Sequence, residues 1–153
     1  MLTEMETMLR LSLSVVLGGL IGMERELHRR AAGLRTHILV CLGSCLMMLT
    51  SVYLFDIYNT GIRIDVTRMA AGVITGIGFL GAGAIMKESE GVKGLTTAAS
   101  VWVACGIGLA IGCGFYLGSI FCTGLALVTL FFLRYFEGMI FGSRARHEHA
   151  EKK

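Results

Sequence analysis

Five apolar runs, at about residues 8–23, 37–55, 69–86, 95–113 and 115–136, occupy nearly the whole of this 153-residue chain. Each is close to the ~20 residues that carry an α-helix across a bilayer. Charged residues are confined to three loops and the two ends. The pattern predicts an all-α integral membrane bundle of about five transmembrane helices. One transmembrane domain over 1–142 and a short charged tail at 143–153 account for the chain. The composition agrees: 54% hydrophobic, no proline and a mean hydropathy of +0.70, beyond an ordinary soluble domain. No soluble catalytic domain is expected within these residues.

Charge predicts the orientation. Arg25, Arg29, Arg30 and Arg35 lie in the first loop, Lys87 and Lys93 in the third, and Arg134, Arg144, Arg146, Lys152 and Lys153 at the C-terminal end. Only Arg10, Arg63 and Arg68 fall on the opposite side. The positive-inside rule then places the N-terminus outside and the C-terminus in the cytoplasm, as an odd number of spans also requires. The first run is expected to stay as an anchor. It is preceded by Glu4 and Glu6 rather than a basic segment, and no small-residue cleavage site follows it. The net charge of +3 reads as topology rather than as a nucleic-acid patch.

Glycine sets the expected packing. Gly18 and Gly22, Gly72 and Gly76, and Gly108 and Gly112 form G-x-x-x-G stripes in runs one, three and four, and Gly78, Gly81 and Gly83 continue the third. Lipid gives helices no apolar reason to associate, so close backbone approach must supply it. The stripes predict tight contacts among runs one, three and four, with a homo-oligomer as the other use of such a face. Run five ends in bulky residues through Arg134 and Tyr135 and suits a lipid-facing edge or a subunit contact. The hairpins of runs 1–2 and 3–4 echo one another: Gly-Leu-Ile-Gly and Gly-Phe-Leu-Gly each lead through a basic loop into Gly-Leu-x-Thr. A parallel repeat about the membrane normal is the corresponding expectation.

Candidate chemistry is sparse. Cys41 and Cys45 share a helix face, and with Cys105, Cys113 and Cys122 they read as small buried hydrophobes; no metal site and no disulfide framework is expected. His147 and His149 lie in the charged tail and read as solvated. Thr36, Thr96 and Thr97 stand in the two Gly-Leu-x-Thr helix openings beside Arg35 and Lys93. They read either as capped helix ends at the headgroups or as a cytoplasmic anion site, for lipid phosphate or a partner's carboxylate. Asp65 and Arg68 lie three apart and read as a local ion pair. Glu24, beside Gly22 and followed by Arg25, is the strongest candidate for an ionisable group at membrane depth. The carboxylates near the runs, Glu24, Asp65, Asp56 and Glu137, are divided between two membrane faces, which fits a dedicated cation pathway poorly. No nucleophile stands beside a base, and no nucleotide fingerprint follows a strand, since no strand is expected. Catalytic residues, metals and cofactors are all expected to be none.

Five segments carry a resemblance. Gly-Leu-Ile-Gly-Met-Glu-Arg-Glu (19–26), Ala-Gly-Leu-Arg-Thr-His (32–37), Arg-Met-Ala-Ala (68–71), Gly-Ile-Gly-Phe-Leu-Gly-Ala-Gly-Ala-Ile (76–85) and Gly-Leu-Thr-Thr-Ala-Ala-Ser-Val-Trp (94–102) resemble the MgtC/SapB membrane proteins, in order over about residues 15–115. The resemblance implies a bacterial inner-membrane, multi-pass protein linked to growth in low magnesium and, in pathogens, to virulence and survival inside macrophages. It implies a regulator rather than a magnesium transporter, with the F-type ATP synthase as one partner of some members. Glu24, Arg25, Gly33, Leu34, Arg35, Thr36, Arg68, the glycines of 76–83, Gly94, Thr97 and Trp102 match the family pattern. Thr96 stands where some members have Asn, and Val103 where some have Cys. Longer members carry a soluble C-terminal domain, and this chain reads as a short form without it.

The leading expectation is a non-enzymatic regulator acting through helix contacts with another membrane protein or with itself, amid membrane lipids and without nucleic acid. The alternatives are a channel or transporter for Mg2+ or another small ion, using Ser14, Ser44, Thr50, Thr75 and Thr97 with Glu24 or Asp65, and an anion- or lipid-binding module at the two Gly-Leu-x-Thr openings.

Overall fold

The computed structural model describes residues 2–58, 65–89 and 91–132. The tail at 143–153, the Arg134–Tyr135 anchor, Glu137, His147, His149 and Arg63 lie outside the described residues. Five helices run in sequence: α1 (Glu4–Leu27), α2 (Leu34–Tyr58), α3 (Thr67–Gly83), α4 (Leu95–Gly112) and α5 (Tyr116–Phe132). Among these, α1, α2 and α4 are long and apolar enough to cross a membrane. A two-stranded antiparallel hairpin, β1 (Met86–Glu88) and β2 (Gly91–Lys93), links α3 to α4. No strand was expected, and run three was expected to continue to 86. The helix stops at Gly83 because the chain turns at Ala84 and then pairs Met86 with Lys93.

Helix ends follow local chemistry rather than hydropathy alone. α1 starts before its apolar run because Thr3 Oγ1 accepts the Glu6 N–H at 3.2 Å, and Glu4 and Glu6 complement the positive end of the helix dipole. It ends in a Schellman turn, in which the Arg29 N–H bonds the Glu26 carbonyl at 2.9 Å and the Arg30 N–H bonds the Arg25 carbonyl at 3.0 Å. α4 closes the same way over Gly114, whose φ of +88° is open to glycine at little cost. Ser51 Oγ, on α2, donates to the Val66 carbonyl at 2.8 Å and ties α2 to the start of α3.

The core is the seam along α2. Leu17 and Ile21 of α1, Cys41, Cys45 and Leu49 of α2, and Ile107 and Ile111 of α4 form one buried cluster. Both helix neighbours press small residues onto α2. A Cβ at Gly18 would lie 2.7 Å from Cys41 Cβ, and one at Gly22 would lie 2.8 Å from Leu34 Cα. A Cβ at Gly108 would lie 2.9 Å from Ser44 Cβ, and one at Gly112 would lie 2.6 Å from Met48 Cβ. The stripes of α1 and α4 therefore meet α2, which has no G-x-x-x-G of its own, rather than meeting α3. The α3 stripe is open: among the described residues nothing lies within 4 Å of a Cβ at Gly72, Gly76, Gly78 or Gly83, and Gly81 comes only within 3.8 Å of Ala98. On α3 Ile77 alone is buried.

At the α1 N-terminal end, a buried arginine joins three helices. Arg10 Nε donates to Tyr116 Oη at 2.9 Å, Nη1 donates to the Gly112 carbonyl at 2.7 Å, and Nη2 pairs with Glu6. Tyr116→Phe removes one bond to a charged group while keeping the ring. It is expected to cost about 1.5–3 kcal/mol in unfolding of the detergent-solubilised protein.

Candidate functional site

The residues singled out by the sequence collect at the end of the bundle where α1 and α3 finish and α2 and α4 begin. Gly-Leu-x-Thr opens both α2 and α4. In each, the glycine carbonyl accepts the first helical hydrogen bond: His37 N–H to Gly33 at 3.2 Å and Ala98 N–H to Gly94 at 2.9 Å. Thr36, Thr96 and Thr97 thus lie inside the first turn and are not the caps expected of them. Gly94 has φ +93°, and a Cβ there would collide with the Ala84 carbonyl, so the start of α4 demands glycine.

The two openings differ in what faces them. At α2, Glu26 Oε2 accepts the Leu34 N–H at 3.1 Å, and a Cβ on Gly33 would run into that carboxylate. The negative side chain takes the place that the exposed N–H groups and helix dipole favour for an anion. At α4 the N-cap residue is Gly94, which has no side chain to cap the helix. A cavity of about 500 Å3 opens there, lined by Arg25, Arg29, Arg30, Lys93, Thr96 and Thr97 among others. Arg35 does not line it; it borders a separate cavity of about 490 Å3 with Glu26 and Thr36. Lys93 Nζ pairs across the hairpin with Glu88 Oε2 at 2.5 Å.

Beneath the basic cavity lies a buried ionic cluster. Arg25 is 2% exposed and Glu24 7% exposed. Arg25 Nε and Nη2 donate to the two Glu24 carboxylate oxygens at 2.5 and 3.1 Å. His28 Nδ1 stands 2.9 Å from Glu24 Oε1. Burial of a charge is costly unless it is paired and hydrogen-bonded, and here both charges are. Next to it His37, fully buried, joins the starts of α2 and α4. Its Nδ1 lies 2.8 Å from the Gly33 carbonyl, which can only accept, so that nitrogen carries a proton. Its Nε2 lies 3.0 Å from Ser100 Oγ on α4. His37 and Ser100 were matched only as parts of longer motifs. The available signal was a lone polar side chain at the start of an apolar run.

The remaining candidates are dispersed. Asp65 does not pair with Arg68. Its Oδ1 accepts the Thr67 hydroxyl at 2.6 Å and the Thr67 N–H at 2.9 Å, an Asx turn that opens α3 at the far end of the bundle. Those bonds hold the Asp65 carboxyl below the usual carboxylate range. Arg68 and Trp102 are exposed. The five cysteines are free thiols; Cys41, Cys45 and Cys105 are buried, Cys113 and Cys122 exposed. Among the described residues no three His, Cys, Asp or Glu side chains converge as metal ligands.

The sequence profile of the MgtC family matches residues 11–139. YhiD of Escherichia coli (strain K12) is 43% identical over 127 residues, covering 82% of this chain and 59% of that protein. SapB of Bacillus subtilis (strain 168) is 42% identical over 115 residues, covering 72% and 49%. MgtC of Salmonella typhimurium (strain LT2) is 40% identical over 126 residues, covering 82% and 52%. The chain therefore spans about half the length of these curated relatives. No solved structure matches it.

Proposed function

The chain belongs to the MgtC family, and we propose that it is a non-enzymatic, multi-pass inner-membrane regulator of adaptation to low magnesium. In this reading the Arg25–Lys93 end faces the cytoplasm, where the positive-inside rule puts it. The protein acts by binding another membrane protein, with the F-type ATP synthase as the named candidate and a second copy of the chain as the other. In a pathogen the same adaptation would serve intracellular survival and virulence. What supports the contact mechanism is the open glycine face of α3, where Gly72, Gly76 and Gly83 meet nothing among the described residues. In lipid such a face gives a partner helix close backbone approach.

The test is a single substitution on that face. Gly76→Ile should leave the unfolding of the solubilised protein within about 0.5 kcal/mol, because space is open there. It should remove any partner that co-purifies with the unaltered chain after gentle solubilisation. A partner retained at full stoichiometry by Gly76→Ile overturns α3 as the contact face. No stoichiometric partner with the unaltered chain overturns the mechanism itself. YhiD carries magnesium transport in its name. Mg2+ uptake by proteoliposomes holding only this chain would replace the regulatory reading with transport.

A further inference from the structure

We propose that His37 and Ser100 form a proton-sensitive latch, which holds the starts of α2 and α4 together while the imidazole is neutral and loosens them when acid charges it. The inference is independent of the regulatory reading, since it concerns how the bundle closes and not what it binds. His37 is fully buried, and Ser100 and Thr97 of α4 are each 5% exposed. The ring bridges two helices. Its Nδ1 stands 2.8 Å from the Gly33 carbonyl at the start of α2, and its Nε2 stands 3.0 Å from Ser100 Oγ.

The hydrogens define the latch. The Gly33 carbonyl takes the Nδ1 proton, so Nε2 of a neutral ring holds a lone pair and needs a donor. Ser100 has one hydroxyl hydrogen and two acceptors in reach, His37 Nε2 and the Thr97 carbonyl at 2.8 Å. Given to Nε2, that hydrogen closes α4 onto α2. A second proton on the ring fills Nε2 and turns the hydroxyl back to Thr97, within α4. It also sets a positive charge in the seam. The charged groups that act on His37 are Glu24 and Arg25 of α1. The Glu24 carboxylate is already gripped by Arg25 and faces His28. On α2 the neighbouring charge is Arg35, exposed and positive. α4 carries no charged residue, and the one on α3, Arg68, lies at the far end of the bundle. Among the described residues the added charge is therefore buried without a free partner, which is costly. The ring is also confined by α1. A Cβ at Gly22 would lie 3.0 Å from His37 Cβ, and one at Gly18 would lie 2.8 Å from the His37 carbonyl oxygen. Water reaches the charged ring only if the helices part. A group held neutral in the fold contributes stability that is present at neutral pH and lost as acid protonates it. The imidazole of the unfolded chain takes its proton at about pH 6.5, so the loss begins there.

Amide exchange, read by mass spectrometry on the full chain in phosphatidylcholine nanodiscs, tests the latch. Rates are divided by the intrinsic rate at each pH. Between about pH 7.5 and about pH 5, on either side of an ordinary imidazole, the amides of residues 37–43 and 98–104 should become at least ~10-fold less protected. His37→Gln keeps a neutral acceptor for the Ser100 hydrogen and takes up no proton, so its response should stay within ~2-fold. Should that variant fail to fold, the unaltered chain decides the matter through nitrogen NMR of isotope-labelled histidine. His37 is assigned by the contact of its Nδ1 with a labelled glycine carbonyl; Nδ1 of His28 meets the Glu24 carbonyl instead. The ring should be neutral and protonated at Nδ1 at the higher pH, and doubly protonated at the lower. The proposal is overturned if protection at these amides does not change with pH, if His37→Gln responds as the unaltered chain does, or if the ring stays neutral where protection has fallen.

Discussion

Gly108→Leu is expected to prevent the α2–α4 seam from forming, and Gly108→Ala to cost about 1–3 kcal/mol. Even the single methyl of alanine would press into the Cys41 carbonyl and stand 2.9 Å from Ser44 Cβ. Neither can yield, because Cys41 is fully buried and is backed by Gly18 of α1 on its other side. Leucine adds three more carbons to the same place, so α4 must leave α2 and take Ile107 and Ile111 out of the core with it. Thermal unfolding of the purified protein in mild detergent measures this directly. Gly72→Ala, in the more glycine-rich α3, is the matched control and should stay within about 0.5 kcal/mol, since nothing among the described residues lies within 4 Å of its Cβ. Equal losses at Gly72 and Gly108 would contradict this account of which glycines pack.

The same contrast marks what a linear reading reaches. Run length fixes the existence of the helices because spanning a bilayer is a one-dimensional requirement. A G-x-x-x-G spacing states that a backbone can be approached, not by what. The residues that accept the stripes, from Leu34 and His37 through Cys41 and Ser44 to Met48, range from small to large and show no glycine spacing, so α2 carried no visible sign of being central. The hairpin at 86–93 was hidden for another reason. Met-Lys-Glu and Gly-Val-Lys are too short for a period-two pattern to stand out. Asp65 went to Thr67 rather than Arg68 because a hydroxyl and a backbone N–H two residues on lie nearer than a flexible guanidinium. At the candidate site the motif residues were legible individually. The difference between the two openings was not, since it depends on Glu26 folding back eight positions along the chain to meet Leu34.

Arg25→Ala should be the most damaging single change at the basic end, at about 3–5 kcal/mol, because it strands a buried carboxylate. Adjacent helical residues do not ordinarily face one another. Here the arginine stem curls back so that Nε and Nη2 grip both oxygens of Glu24. Without it, Glu24 keeps among the described residues only His28 at 2.9 Å, and that contact becomes an ion pair only when the imidazole is protonated. The double variant Glu24→Gln, Arg25→Met removes both charges while keeping comparable volume, and should recover most of the stability lost by Arg25→Ala. Comparing the two separates structure from function. On the function proposed above, a pair that serves only the fold gives a double variant that restores growth in low magnesium along with stability. If Glu24 or Arg25 contacts a ligand or partner, stability returns and growth does not. An Arg25→Ala protein that unfolds within about 0.5 kcal/mol of the unaltered chain would show instead that the Glu24 carboxylate reaches water, and the buried cluster would have to be withdrawn.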